Sequence, residues 1–85
     1  MKKRHFVYIL LTKSDTLYCG YTDDVEKRYK AHLEGRGAKY TRANKPVKLL
    51  WQKEFSTKNE ALKEEYLIKH KLTRKQKFEL INQKS

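Results

Sequence analysis

The sequence predicts a small α+β fold, one domain in which three strands form a mostly antiparallel sheet with helices packed on it. Three runs have the composition of strands, and stretches with helix-start residues and helical spacing lie between and after them. The order reads strand, strand, helix, strand, helix, helix. A chain of 85 residues has room for a single core, burying about 60 to 65 per cent of the surface its unfolded form exposes. The whole chain, 1–85, is read as that single domain, with an ordered core from about residue 4 to about residue 82.

The first strand is the apolar run Phe6-Val7-Tyr8-Ile9-Leu10-Leu11 and the second is Leu17-Tyr18-Cys19-Gly20-Tyr21-Thr22. The polar stretch Thr12 to Thr16 between them has the length and composition of a hairpin connection. A tight hairpin brings Tyr8 and Tyr18 together on one face of the sheet. Asp23 or Asp24 starts a helix that runs to about Gly35, with Val25, Tyr29, His32 and Leu33 on neighbouring positions. Ala38 to Arg42 makes one helical turn, stopped by Asn44 and Pro46. Val47, Leu49, Trp51 and Phe55 share a parity, as in a half-buried third strand. Ser56 or Thr57 caps a long helix, with Glu60 in its first turn, through about Leu72. A last helix starts at Thr73 and carries Phe78, Leu80 and Ile81. Trp51, Tyr29, Tyr66 and Phe78 are expected in the core, while Tyr21 is assigned to neither face.

Lys and Arg number 21 against 10 Asp and Glu, a net charge of +11, which implies a polyanionic partner. Nucleic acid comes first and an anionic membrane second. The longest apolar run, Phe6 to Leu11, is far short of the roughly 20 residues that span a bilayer. The basic Met1-Lys2-Lys3-Arg4-His5 is not followed by the apolar stretch and cleavage site of a secretion signal, so a cytoplasmic protein is expected. The lone Cys19 agrees with a reducing compartment. From Gly35 to Lys53 there is no acid. Within that stretch Arg36, Lys39, Arg42, Lys45 and Lys48 are expected to contact phosphates and Tyr40 to stack on a base. The plainer reading is a solvated basic loop. Lys69, Lys71, Arg74, Lys75 and Lys77 form a second basic cluster, phosphate-facing or solvated. A basic adaptor that docks on an acidic protein is a further reading of the same charge.

The long helix contains an anomaly. At 100° per residue Ile68, Ala61, Leu72 and Leu62 make an apolar stripe with Glu65 in its middle and Glu64 at its edge. A carboxylate there costs free energy unless it is paired, hydrogen-bonded or bound to a metal. Arg28 and His32 lie one turn apart on the first helix and reach the same region of space. Either residue alone is ordinary surface; their coincidence with Tyr8, Tyr18 and an inward Glu marks a site.

These residues carry a resemblance. Phe6-Val7-Tyr8, then Tyr18-Cys19-Gly20, Thr22, Asp24, Arg28 and His32, resembles the GIY-YIG nuclease domain, whose pattern Tyr-x-Gly-x-Thr-x-Asp-x-x-x-Arg-x-x-x-His is met at every fixed position. Ala61-Leu62, Glu65-Tyr66 and Ile68-Lys69 are similar to its metal-binding helix, and Gly35-Arg36-Gly37-Ala38-Lys39-Tyr40-Thr41-Arg42 looks like the short bacterial branch known as UPF0213. The sequence departs from the pattern at Phe6 and Cys19, which supply no chemistry, and at an Asn after the metal-binding Glu, for which Gln76 and Asn82 are loose counterparts.

The resemblance implies a central three-stranded antiparallel sheet flanked by helices, and hydrolysis of a phosphodiester with a divalent ion. Such a reaction needs an activated water, stabilisation of the nonbridging oxygens and help for the leaving alkoxide. By carry-over, Tyr8 and Tyr18 surround the attacking water, one as general base or both as positioning groups. A phenol with a pKa of about 10 acts as a base only if that value is lowered, which Arg28 or a metal would do. Arg28 would neutralise phosphate charge, His32 would hold the phosphate or orient a tyrosine, and Glu65 would bind one Mg²⁺ or Mn²⁺. The expectation is a metal-dependent endonuclease acting on DNA. The alternative is a nucleic-acid-binding module with the same fold and little catalysis. Family members usually carry a separate domain that selects the target, so specificity is expected from the basic surface, nucleic-acid shape or a targeting protein partner.

Overall fold

The computed structural model describes residues 4–83. The chain forms β1 (His5–Thr12), β2 (Leu17–Thr22), α1 (Val25–Leu33), α2 (Lys39–Ala43), β3 (Pro46–Phe55), α3 (Lys58–Lys71) and α4 (Arg74–Asn82). The strands form one antiparallel sheet in the order β2-β1-β3. This is the α+β fold expected from the sequence. The continuous apolar run of β1 is explained by its central place: helices cover both faces, and Val7, Tyr8, Ile9 and Leu10 are all buried.

On one face Val7, Ile9 and Cys19 pack with Ala61 and Ile68 of α3, bordered by Trp51, Phe55, Leu72, Leu80 and Ile81. The opposite face carries Tyr8 and Tyr18, with α1 contributing the buried Val25 and His32. Local chemistry sets the helix starts. Asp24 accepts from the Lys27 N–H, and Thr57 with Glu60 and Thr73 with Gln76 form reciprocal capping boxes. The hairpin loop closes through the Thr12 N–H to the Thr16 carbonyl, 2.9 Å, with Asp15 in the left-handed region at φ 60°.

Three sequence expectations need correction. The shared parity of the third strand is broken by a bulge: Ile9 pairs with Trp51 but Leu10 pairs with Leu49, so Leu50 is the extra residue. Trp51 and Leu49 therefore face opposite ways, and Val47 is exposed. Leu33, Leu62 and Tyr66 are also exposed rather than core-facing. Each helix touches the sheet along a narrow line, filled by Val25 and His32 in α1 and by Ala61 and Ile68 in α3; the residue one step beyond swings out to solvent. Gln76, a loose counterpart of the pattern's Asn, is instead engaged in its cap, its Oε1 accepting from the Thr73 N–H at 2.9 Å, and Asn82 is exposed at the last turn.

Candidate functional site

The antiparallel register places Gly20 opposite Tyr8 and Tyr18 opposite Leu10, which puts both tyrosine rings on one face, 6.4 Å apart between centroids. Gly20 is required there: a Cβ at that position would collide with the Tyr8 phenol. The helix that follows β2 brings His32 against both rings, 5.9 Å from Tyr8 and 5.3 Å from Tyr18. The expectation that hairpin and first helix assemble these three residues is met.

Behind them lies a hydrogen-bonded chain that fixes its own polarity. The Thr41 hydroxyl donates to the Ala38 carbonyl at 2.9 Å, so the 2.6 Å contact between Thr41 Oγ1 and His32 Nδ1 requires the imidazole to donate from Nδ1. The neutral ring then has a lone pair at Nε2, which accepts from the Tyr8 hydroxyl at 2.8 Å. His32, Thr41 and Tyr8 are nearly inaccessible to solvent. Burial, reinforced by the positive charge of Arg28, holds His32 below the usual imidazole range and favours this neutral form. Gly37 completes the pocket, since a Cβ there would strike the His32 ring. The sequence reading missed Thr41 and Gly37, having assigned their segment to a nucleic-acid surface. The signal lay in Gly37-Ala38-Lys39-Tyr40-Thr41, a glycine followed by a hydroxyl residue one helical turn later.

Base catalysis by Tyr8 would need a lowered pKa, and its surroundings act the other way. Its phenol is pushed well above the ordinary value, first by burial and then by the neighbouring Tyr18, and the opposing pull of Arg28 is weaker. Tyr8 is therefore a hydrogen-bond donor to His32 in this state and no phenolate. Arg28 is exposed and lines an open depression of about 270 Å³ with Thr22, Asp23, Asp24, Lys27 and Ala31. It stands near enough to act electrostatically on both Tyr8 and His32.

Glu65 approaches from α3. Its carboxylate is partly shielded and pairs with Lys69 one turn on, Oε2 to Nζ 3.6 Å, and Lys69 also lies over the Tyr18 ring at 5.6 Å from its centroid. Of the explanations open to an inward carboxylate, the structure shows the ion pair, made to a partly exposed lysine. Among the described residues no group of three or more His, Cys, Asp or Glu side chains gathers to hold a metal. Tyr21 lies on the α3 side, packed against the core and hydrogen-bonded to His5 Nδ1 at 2.8 Å.

Of the basic segment, Tyr40 stacks on Tyr18 at 6.1 Å with only 13° between ring planes, and is exposed. Lys39, Arg42, Lys45 and Lys48 are exposed, whereas Arg36 is turned back onto Glu34, its Nε 3.1 Å from Oε1. Arg36 is thus partly neutralised by a neighbour. No helix among the described residues is long and apolar enough to cross a membrane.

Comparison with known proteins agrees with this geometry. The GIY-YIG catalytic domain matches residues 4–79. The chain is 54% identical over 78 residues to the UPF0213 protein YsiG of Lactococcus lactis, covering 92% of this chain and 75% of that protein. It is 49% identical over 80 residues to the UPF0213 protein YazA of Bacillus subtilis, covering 94% of this chain and 80% of that protein. Among solved structures, a UPF0213 protein from Bacillus halodurans superposes with a TM-score of 0.59 at 46% identity, over 92% of this chain and 82% of that one. A protein from E. faecalis gives a TM-score of 0.64 at 41% identity, over 94% and 84%. The motif residues, the sheet order and these matches together make the chain a member of the bacterial UPF0213 family of GIY-YIG domain proteins.

Proposed function

We propose that the chain is a nucleic-acid-binding module on the GIY-YIG fold, with DNA its first candidate ligand. The observation that carries this reading is the exposed Tyr40 ring stacked on Tyr18, in a segment whose Lys39, Arg42, Lys45 and Lys48 are all exposed and in a protein of net charge +11. Phosphates are attracted by the charge and a base stacks on the ring. Arg28, whose forked guanidinium matches a phosphate, extends the surface toward Tyr8. Two features of the resting site favour binding over turnover. Tyr8 holds its proton firmly, and Glu65 already has its charge balanced by Lys69.

A second reading, a metal-dependent endonuclease, is favoured by the buried Tyr8–His32–Thr41 chain. A binding surface has no need of a fully buried, polarised histidine, and such networks are costly unless every member is satisfied. In this reading Tyr18 and Tyr8 position a water beside the phosphate, His32 Nε2 receives a proton passed through Tyr8, and Arg28 balances charge on the nonbridging oxygens. A lone carboxylate fits one Mg²⁺ or Mn²⁺ whose other ligands are water and substrate oxygens, so Glu65 would hold the ion after releasing Lys69. The ion's contribution would be Lewis-acid stabilisation of the phosphoryl oxygens. Target selection in either reading falls to the basic surface or to a protein partner.

The test is incubation of the protein and its Glu65→Gln variant with labelled single-stranded, duplex and branched DNA and with RNA, in Mg²⁺, Mn²⁺ or EDTA. Salt-sensitive binding by both without cleavage is the expected outcome for a binding module. Cleavage by the wild type alone, abolished by EDTA, would establish the endonuclease instead.

A further inference from the structure

A cleft of about 390 Å³ opens across the outer edge of β2 and is lined by Leu17, Tyr18, Cys19, Tyr40, Lys69 and Lys77. One wall is the stacked pair Tyr18 and Tyr40. The floor is apolar, from Leu17 and from Cys19, whose thiol is pushed up to about 12 by burial and then by Glu65 and so stays neutral. The rim carries two ammonium groups from different helices. Lys69 of α3 shares its charge with Glu65, while Lys77 of α4 makes no ion pair among the described residues.

The walls are held by contacts that serve no other evident purpose. Tyr40 is hydrogen-bonded through its hydroxyl to Thr16 of the hairpin loop, which fixes its ring. Arg74, one turn before Lys77 on α4, donates from Nη1 to the Asp15 carbonyl at 2.7 Å and pairs with its carboxylate at 3.3 Å. The left-handed Asp15 thereby anchors the start of α4 to the hairpin, and Lys77 is set at the rim.

We infer that this cleft is a subsite for one unpaired nucleotide of a single strand, its base stacked on Tyr40 over Leu17 and Cys19 and its phosphate between Lys69 and Lys77. The inference rests on the nucleic-acid-binding reading and adds to it the class of ligand and where it sits. The volume falls within the range of small-molecule pockets, about 300 to 1,000 Å³, and suits one nucleotide. A base inside a duplex cannot use it, because its two faces are covered by the neighbouring base pairs and its edge by its own partner. An apolar floor with a neutral thiol accepts a ring, and a rim on which the Lys77 charge is uncompensated accepts a phosphate.

The experiment is an amide chemical-shift titration in EDTA, using a short oligothymidylate and a blunt duplex, on the wild type, Lys77→Gln, Tyr40→Leu and Tyr40→Trp. The oligothymidylate is expected to move the amides of Leu17 to Cys19 and of Lys77. Lys77→Gln, which keeps the aliphatic stem, and Tyr40→Leu should each weaken its binding by about fivefold or more, whereas Tyr40→Trp should retain it. In Lys77→Gln and Tyr40→Leu duplex affinity should fall less than strand affinity. Oligothymidylate binding that leaves those amides unmoved, or that all variants keep undiminished, would overturn the subsite. Duplex binding without strand binding would also remove the subsite but leave the nucleic-acid reading standing; loss of both ligands would remove both.

Discussion

The imidazole of His32 is held between a donor and an acceptor, and its protonation state follows from that. Tyr8 donates a hydrogen bond to Nε2 and Thr41 accepts one from Nδ1, so a second proton on the ring would leave two donors facing across the 2.8 Å contact unless the Tyr8 hydroxyl hydrogen turned away. Because the folded-state pKa lies below the ordinary 6.5, the unfolded chain binds a proton at His32 that the folded chain refuses. Stability from this residue is therefore complete above about pH 6.5 and declines as pH falls below it. Thermal melting between pH 7 and pH 5 is expected to drop less in His32→Gln than in the wild type, and identical slopes would refute this account of the ring. The approach of Tyr8, Tyr18 and His32 to one another was legible because strand alternation and helical spacing are local rules. Thr41 and Gly37 were not legible, because their contact depends on α2 folding back over α1. The raised value at Tyr8 was missed for a related reason: burial is a property of the packed domain and outweighed the one charge visible in sequence.

At the scale of elements, α3 and α4 start on matching devices, Thr57 with Glu60 and Thr73 with Gln76. A capping Thr replaced by Ala costs about 1 kcal/mol, and for a domain of this size that lowers the melting temperature by roughly 4 to 8 °C. Thr57→Ala should show that drop in a calorimetric scan, and Thr57→Asp should recover most of it. Thr73 was readable from sequence as a helix start, whereas Asp23 or Asp24 and Ser56 or Thr57 were left open, and the structure selects Asp24 and Thr57. The bulge at Leu50 was not readable, since alternation of apolar residues continues through it unbroken while the register slips. Its effect is to turn Leu49 toward the face that holds Tyr8 and leave Trp51 with the α3 core.

For the molecule as a whole, the net charge of +11 predicts how binding responds to ionic strength. The logarithm of the single-strand association constant should fall linearly with the logarithm of salt concentration, and each phosphate contact removed should reduce the slope by about 0.7. Lys39→Gln, Arg42→Gln and Lys45→Gln are each expected to show that reduction in a fluorescence titration across salt. Arg36→Gln should show less, because Glu34 already offsets its charge. An unchanged slope in the first three would reduce that segment to a solubilising surface.

The place of β1 between its two neighbours also bears on the order in which the protein is made. As synthesis proceeds from the amino end, β2 follows β1 after a four-residue loop, so the pair Tyr8 and Tyr18 forms by a local event of microseconds. The other edge of β1 waits for β3, whose pairing from Thr12 with Pro46 to His5 with Phe55 must close a much longer loop. The clamp of Arg74 on Asp15 comes later still. The two tyrosines thus meet early, while the cleft beside them is completed only after α4 has left the ribosome.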